Sequence, residues 1–99
     1  MSGWQLTELA ERDLREILDY VELEHGPVRA DRILDDFVTA FDRLAAQPRI
    51  GHARRDLTDL DVAFWSVHSW LVVHRLERRT LVIVRVLSGR RDVRKLLDD

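Results

Sequence analysis

A chain of 99 residues, 45% apolar and 34% charged, with a net charge of −2 and no cysteine, reads as one globular domain over residues 1–99, without room for a second core. Disulfides, thiolate catalysis and cysteine-built zinc sites are excluded, which suits a reducing cytoplasm. The opening "MSGWQLTELAERDL" has no apolar core of signal-peptide length, and the longest unbroken apolar run is four residues, too short to span a membrane.

Alternation of Trp4 and Leu6 with Gln5 and Thr7 predicts a short first strand. Thr7 can cap a helix whose first turn holds Glu8 and Glu11, facing the positive end of its dipole. Ala10, Leu14, Ile17, Leu18 and Val21 recur at helical spacing, and "HGP" at 25–27 ends the run. Pro27 is placed to open a second helix, with Ala30, Ile33, Leu34, Phe37, Phe41, Leu44 and Ala45 on one stripe and Pro48 beyond it. Helices over 8–24 and 28–46, joined by so short a turn, form an antiparallel hairpin. Beyond the irregular "PRIGHARRDLTDLD" the period changes to two, predicting strands at Val62 to His68, Leu71 to Leu76 and Thr80 to Leu87. "ERRT" is the tight loop between the last two. The order β-α-α-β-β-β predicts an α+β, two-layer fold: a helix hairpin on an antiparallel sheet. Leu14, Ile17, Phe37, Phe41 and Leu44 should be buried against Val82 and Val84 or their alternate partners.

Charge is unevenly divided. Residues 1–48 hold 5 Arg against 11 acids, and residues 49–99 hold 10 Arg and 1 Lys against 7 acids. A dipolar chain of this kind attracts acidic partners to its second half, although a solvated surface of local ion pairs fits the same counts. The preference for Arg over Lys points to recognition, because guanidinium pairs carboxylates and phosphates bidentately.

"DLREILDY", the helix exit "LAAQPRIG" and "RVLSGRRD" after the last strand, together with "FWSVHSWLVVHRL", make the chain resemble the RelE/ParE superfamily of bacterial toxins from about Trp4 to Lys95. Within it, the chain is similar to the ParE, or plasmid-stabilisation, branch. The resemblance implies a small cytoplasmic toxin encoded beside an antitoxin whose C-terminal segment wraps and silences it. ParE-like members poison DNA gyrase; RelE-like members cut messenger RNA on the ribosome. Three positions depart from the pattern. Ser88 stands where many relatives have His, His74 where many have Tyr, and Leu96 and Leu97 where ribonuclease members place Tyr or His.

RNA cleavage through the 2′-hydroxyl needs a base, an acid and cations for the phosphorane charge. Arg54, Arg55, Arg85, Arg90 and Arg91 offer the cations, but arginine stays protonated and transfers no proton. The titratable choices are His52, His68, His74, Tyr20, Asp56 and Asp92, none of them a clear partner for the basic tail. Tyr20 is expected to pack against the second helix. Trp65 and Trp70 are expected as core or hairpin cover, with a stacking platform for bases as the lesser alternative. Arg85 falls on a strand face with Leu81, Ile83 and Leu87 by simple alternation, so it must reach a carboxylate, water or a ligand. No metal-binding spacing and no phosphate loop occurs, and no cofactor is expected.

The reading is therefore a toxin that acts by binding, with gyrase as its target and an acidic or amphipathic antitoxin segment as its partner. Arg54, Arg55, Arg78, Arg79, Arg90, Arg91 and Arg94 are the expected charged contacts, with Leu96 and Leu97 anchoring the tail. The alternative is a ribosome-dependent endoribonuclease using Arg85 and Arg91 with His68 or His74. A third class is an inactive module that only binds antitoxin.

Overall fold

In the computed structural model, which describes residues 3–98, β1 (Trp4–Leu6) leads through Thr7 into α1 (Glu8–His25). Thr7 does two jobs at that junction. Its hydroxyl oxygen accepts the Ala10 N–H at 3.1 Å and its hydroxyl donates to the Val84 carbonyl at 2.7 Å, so the cap also bolts the helix start to the sheet. α2 (Pro27–Ala46) follows after one residue, Gly26. Gly26 has φ 90° and ψ 168° with open space around it, a region that essentially only glycine occupies. Its freedom therefore sets the reversal between the two helices. No described helix is long and apolar enough to cross a membrane.

β2 (Ala63–Val67), β3 (Trp70–Glu77) and β4 (Thr80–Ser88) form an antiparallel meander, and β1 joins parallel to β4, giving the order β1-β4-β3-β2. The predicted architecture is the one observed. Leu14, Phe37, Phe41 and Leu44 are buried between helices and sheet with Leu81 and Ile83, while Ile17 is partly buried against the same cluster. Leu81 and Ile83, the alternate partners, thus take the place of Val82 and Val84.

Simple alternation fails in β4. Val73 pairs with Arg85 but His74 pairs with Ile83, so Val84 is an extra residue, a β-bulge. The bulge shifts the phase. Leu81, Ile83 and Val86 face the helices, whereas Val84 and Leu87 join a second cluster on the other face. Arg85 consequently does not share a face with Leu81 and Ile83. A second correction concerns His68, which lies in the two-residue β2–β3 turn at φ 53° and not on a strand.

The second cluster joins Phe64, Val73 and Leu87 to Val93, with Leu57, Leu96 and Leu97 packed around them. Val93 belongs to α3 (Val93–Asp98), a six-residue helix that hydrophobic periodicity is too short to reveal. The loop before β2 and α3 together cover the sheet face that the helix hairpin leaves bare.

Candidate partner-binding groove

α1 and the sheet part company beyond the end of β1, and a groove opens there. β1 covers only Leu81–Ile83 of β4, so the rest of that edge needs other partners. Asp13 of α1 supplies one, accepting the Val86 N–H at 3.0 Å. The tail supplies another, the Arg91 N–H donating to the Ser88 carbonyl at 3.1 Å. Since a strand residue's N–H and C=O point to the same side, the Val86 C=O and the Ser88 N–H face the groove as well.

The part beside β4 has a volume of about 500 Å³ and is walled by Asp13, Glu16, Ile17 and Tyr20 of α1. Across from them stand Ser69, Trp70, Arg90 and Arg91. A second part of about 510 Å³ shares Tyr20, Ser69 and Trp70, and continues past Val21, His25, Arg29, Ile33 and His68. Tyr20 does not pack against α2 as expected. It is 59% exposed, and its ring stands at the junction of the two parts. Trp70 is held below by Phe37, with ring centroids 5.6 Å apart. The groove is thus apolar in the middle, with cationic Arg90 and Arg91 at one end.

Arg85 locks the edge. Its Nε and one terminal nitrogen donate to the two Asp13 oxygens at 2.7 and 3.0 Å, and the other terminal nitrogen reaches the Leu96 carbonyl at 3.4 Å. Both side chains are largely out of solvent, at 17% and 11% exposure. Hydrogen bonding to Asp13 raises the Arg85 pKa, partly opposed by burial. One guanidinium thereby ties α1, β4 and α3 together. Asp13 falls among the apolar positions Ala10, Leu14 and Ile17 of α1. A carboxylate on that stripe is the sequence signal that a buried cation must answer it.

The remaining expected residues separate into distinct places. Arg90 and Arg91 line the groove. Arg54, Arg55 and Arg94 knit the 54–59 loop to α3. Arg54 bonds Asp56 at 2.8 Å, Arg55 donates to the Asp59 carbonyl at 3.2 Å, and Arg94 donates to the Arg55 carbonyl at 3.2 Å. Arg54 is raised and Asp56 lowered in pKa, chiefly through their mutual hydrogen bond. Arg78 and Arg79 form the β3–β4 turn, at the opposite end of β4 from Arg90. Leu96 and Leu97 pack partly buried on the outer cluster.

The turn histidine His68 and the strand histidine His74 are far apart in circumstance. His68 lines the second part of the groove, its Nε2 2.7 Å from Asp36 Oδ2. His74 is 1% exposed, its Nδ1 3.2 Å from the Val72 carbonyl, with Nε2 directed at Gly51. Burial lowers its pKa, the bond to Val72 opposing. Arg85 and His74 are therefore both committed internally, and the four residues named for nuclease chemistry do not converge. Sequence reasoning missed Tyr20, Ser69 and Trp70 as groove walls. Only the helix–strand packing brings them together.

Toxin ParE3 of Caulobacter vibrioides is 36% identical over 78 residues, covering 79% of this chain and 77% of that protein. A structure of the chromosomal ParDE TA system from P. aeruginosa superposes with a TM-score of 0.73 at 21% identity, over 89% of this chain and 96% of that one, a likeness of fold. Residues 5–93 match the family described as the ParE toxin of type II toxin-antitoxin system, parDE. With nearly its whole length matched, this chain belongs to the ParE toxin family.

Proposed function

We propose that this ParE-family chain acts by occupying a target, DNA gyrase, and that its groove receives a segment of the cognate antitoxin, which silences it. The observation that carries the binding reading is the internal commitment of Arg85 to Asp13 and of His74 to its buried cage. General acid–base catalysis needs a titratable group within hydrogen-bond reach of the substrate. Of the two histidines named for that role, His74 is sealed from solvent and His68 is bonded to Asp36 at 2.7 Å, away from the arginine end of the groove, and the best-held cation is already paired. For the antitoxin, the groove offers what an added segment needs: Ile17, Tyr20 and Trp70 for apolar anchors, and Arg90 and Arg91 for carboxylates. The Val86 C=O and Ser88 N–H add main-chain partners for an extended stretch.

Two assays on the purified chain test the reading. Gyrase supercoiling should be inhibited, and inhibition should be relieved by the antitoxin encoded beside it. Ribosome-bound messenger should stay intact. His68→Gln, which keeps a polar side chain but removes the imidazole, should retain inhibition. Messenger cleavage by the wild type, lost by about 10²–10⁴ in rate in a folded His68→Gln or His74→Gln variant, would replace this reading with the endoribonuclease.

A further inference from the structure

We propose that the tip of the β3–β4 hairpin is a second interaction surface, one that seats on the phosphate backbone of nucleic acid. Glu77 pairs with Thr80 across a two-residue loop. Such loops favour positive φ at both central positions, and Asn-Gly meets that demand with least strain. Here the positions are Arg78 at φ 56° and Arg79 at φ 88°. Left-handed backbone brings Cβ against the following carbonyl, so both residues are strained in a way glycine would not be. An arginine pair is a poor way to make this turn, and its merit has to lie in the side chains.

Those side chains are free to act. Both are exposed, and neither forms an ion pair among the described residues. Arg54 and Arg85 contrast with them, each held by an aspartate. Two more exposed arginines, Arg49 and Arg75, line a depression beside the same end of the sheet. Of the nearby acids, Glu77 is engaged by Arg75 at 3.2 Å and Asp61 lines the same depression, so the surplus of positive charge rests on Arg49, Arg78 and Arg79. Positive charge is thus concentrated where the helices, which carry most of the acids, do not reach.

The chemistry favours phosphate over an acidic protein. Protein partners are held by buried aromatic or aliphatic anchors, and among the described residues of the hairpin tip the large exposed apolar side chain is Leu76. Phosphate contacts need no such anchor, and guanidinium forks match them bidentately. At roughly 3.3 Å per residue, β4 separates the tip from Arg90 by more than about 25 Å. Groove and tip can therefore be occupied at once, and the inference does not depend on what fills the groove.

The test is fluorescence anisotropy with a short labelled duplex DNA, read over a salt series. The wild type should bind, and affinity should fall steeply with salt. Arg78→Asn with Arg79→Gly builds the preferred turn, so its melting temperature should equal or exceed that of the wild type. Its duplex affinity should nevertheless drop by about tenfold or more. Arg12→Ala with Arg15→Ala removes the same charge from α1 and should leave affinity within about twofold. Unchanged affinity in the turn variant, or no duplex binding by the wild type, would overturn the proposal. Binding to polyglutamate but not to duplex would overturn it too, assigning the tip to an acidic protein.

Discussion

His74 is a strand histidine held in its neutral form by its surroundings. The Val72 carbonyl can only accept, so Nδ1 carries the proton and Nε2 presents a lone pair to the Gly51 backbone. That contact explains why residue 51 is glycine: a Cβ there would overlap the imidazole Nε2 and Cε1 and sit 3.2 Å from the Ala63 Cβ. The ring is buried and tethered through Nδ1 to the Val72 carbonyl, so turning away from an added Cβ would break that bond. Gly51→Ala should therefore cost about 1–3 kcal/mol in urea unfolding, the usual range of overpacking. In a His74→Ala background the same change should cost little, because the clash is gone. Equal costs in both backgrounds would show that the ring is not what Gly51 accommodates. Protonation supplies a separate test. With its pKa lowered by burial, folded His74 resists the proton that the unfolded chain takes up as pH falls through about 6.5. The stability is complete above that value and drains as pH falls toward the lowered folded value, by at most about 1.4 kcal/mol per pH unit. His74→Phe removes that contribution, so wild type minus variant should decline from about pH 7 to about pH 5. A flat difference curve would contradict a neutral, desolvated imidazole. None of this was legible beforehand. Alternating residues say that His74 has a side, but not that the loop after α2 returns to roof it.

Periodicity exposed the large elements and missed the small corrections to them. The stripes of α1 and α2, the Thr7 cap and the "ERRT" loop were readable because each rests on contacts a few residues apart. The bulge at Val84 was not, since it is a property of the pairing with β3 and leaves no residue signature in "LVIVRVL". Simple alternation puts Arg85 beside Leu81 and Ile83, whereas the bulge turns it to span the sheet edge from Asp13 to the Leu96 carbonyl. The pair joins elements 72 residues apart in sequence, so no local pattern announces it. Removing one partner of a largely buried pair strands the other, typically at about 3–5 kcal/mol. Asp13→Ala should be the more damaging single change, because it also frees the Val86 N–H. Asp13→Leu with Arg85→Leu should be less destabilised than the sum of the singles, with a coupling of roughly 1–3 kcal/mol in a double-mutant cycle. Strict additivity would mean that the guanidinium and carboxylate act independently, and would remove the latch.

Across the whole molecule, the division between an acidic first half and a basic second half becomes spatial, but less simply than the counts suggest. Ten of the arginines lie beyond residue 48, and the fold disperses them. Arg54 is paired with Asp56, Arg85 with Asp13, and Arg94 holds the 54–59 loop. Arg78 and Arg79 stand at one end of the sheet, while Arg90 and Arg91 stand over the groove at the other. Seven arginines that were one candidate surface by composition are thus three surfaces by geometry, and only the last of them faces the groove. Rim charges of this kind speed and orient encounter more than they add affinity, and salt screens them. Binding of a peptide from the antitoxin's C-terminal segment should accordingly lose association rate as salt rises from about 0.05 to 0.5 M, with dissociation changing little. Arg90→Ala with Arg91→Ala should start from a lower rate and show a flatter salt dependence. Arg54→Ala with Arg55→Ala should behave almost as the wild type, because the Arg54 charge is already answered 2.8 Å away by Asp56. The ordering of the two variants is the decisive measurement, since both remove the same formal charge. If the Arg54 and Arg55 pair slowed association as much as the Arg90 and Arg91 pair, net charge would govern encounter, and the groove would hold no directing role.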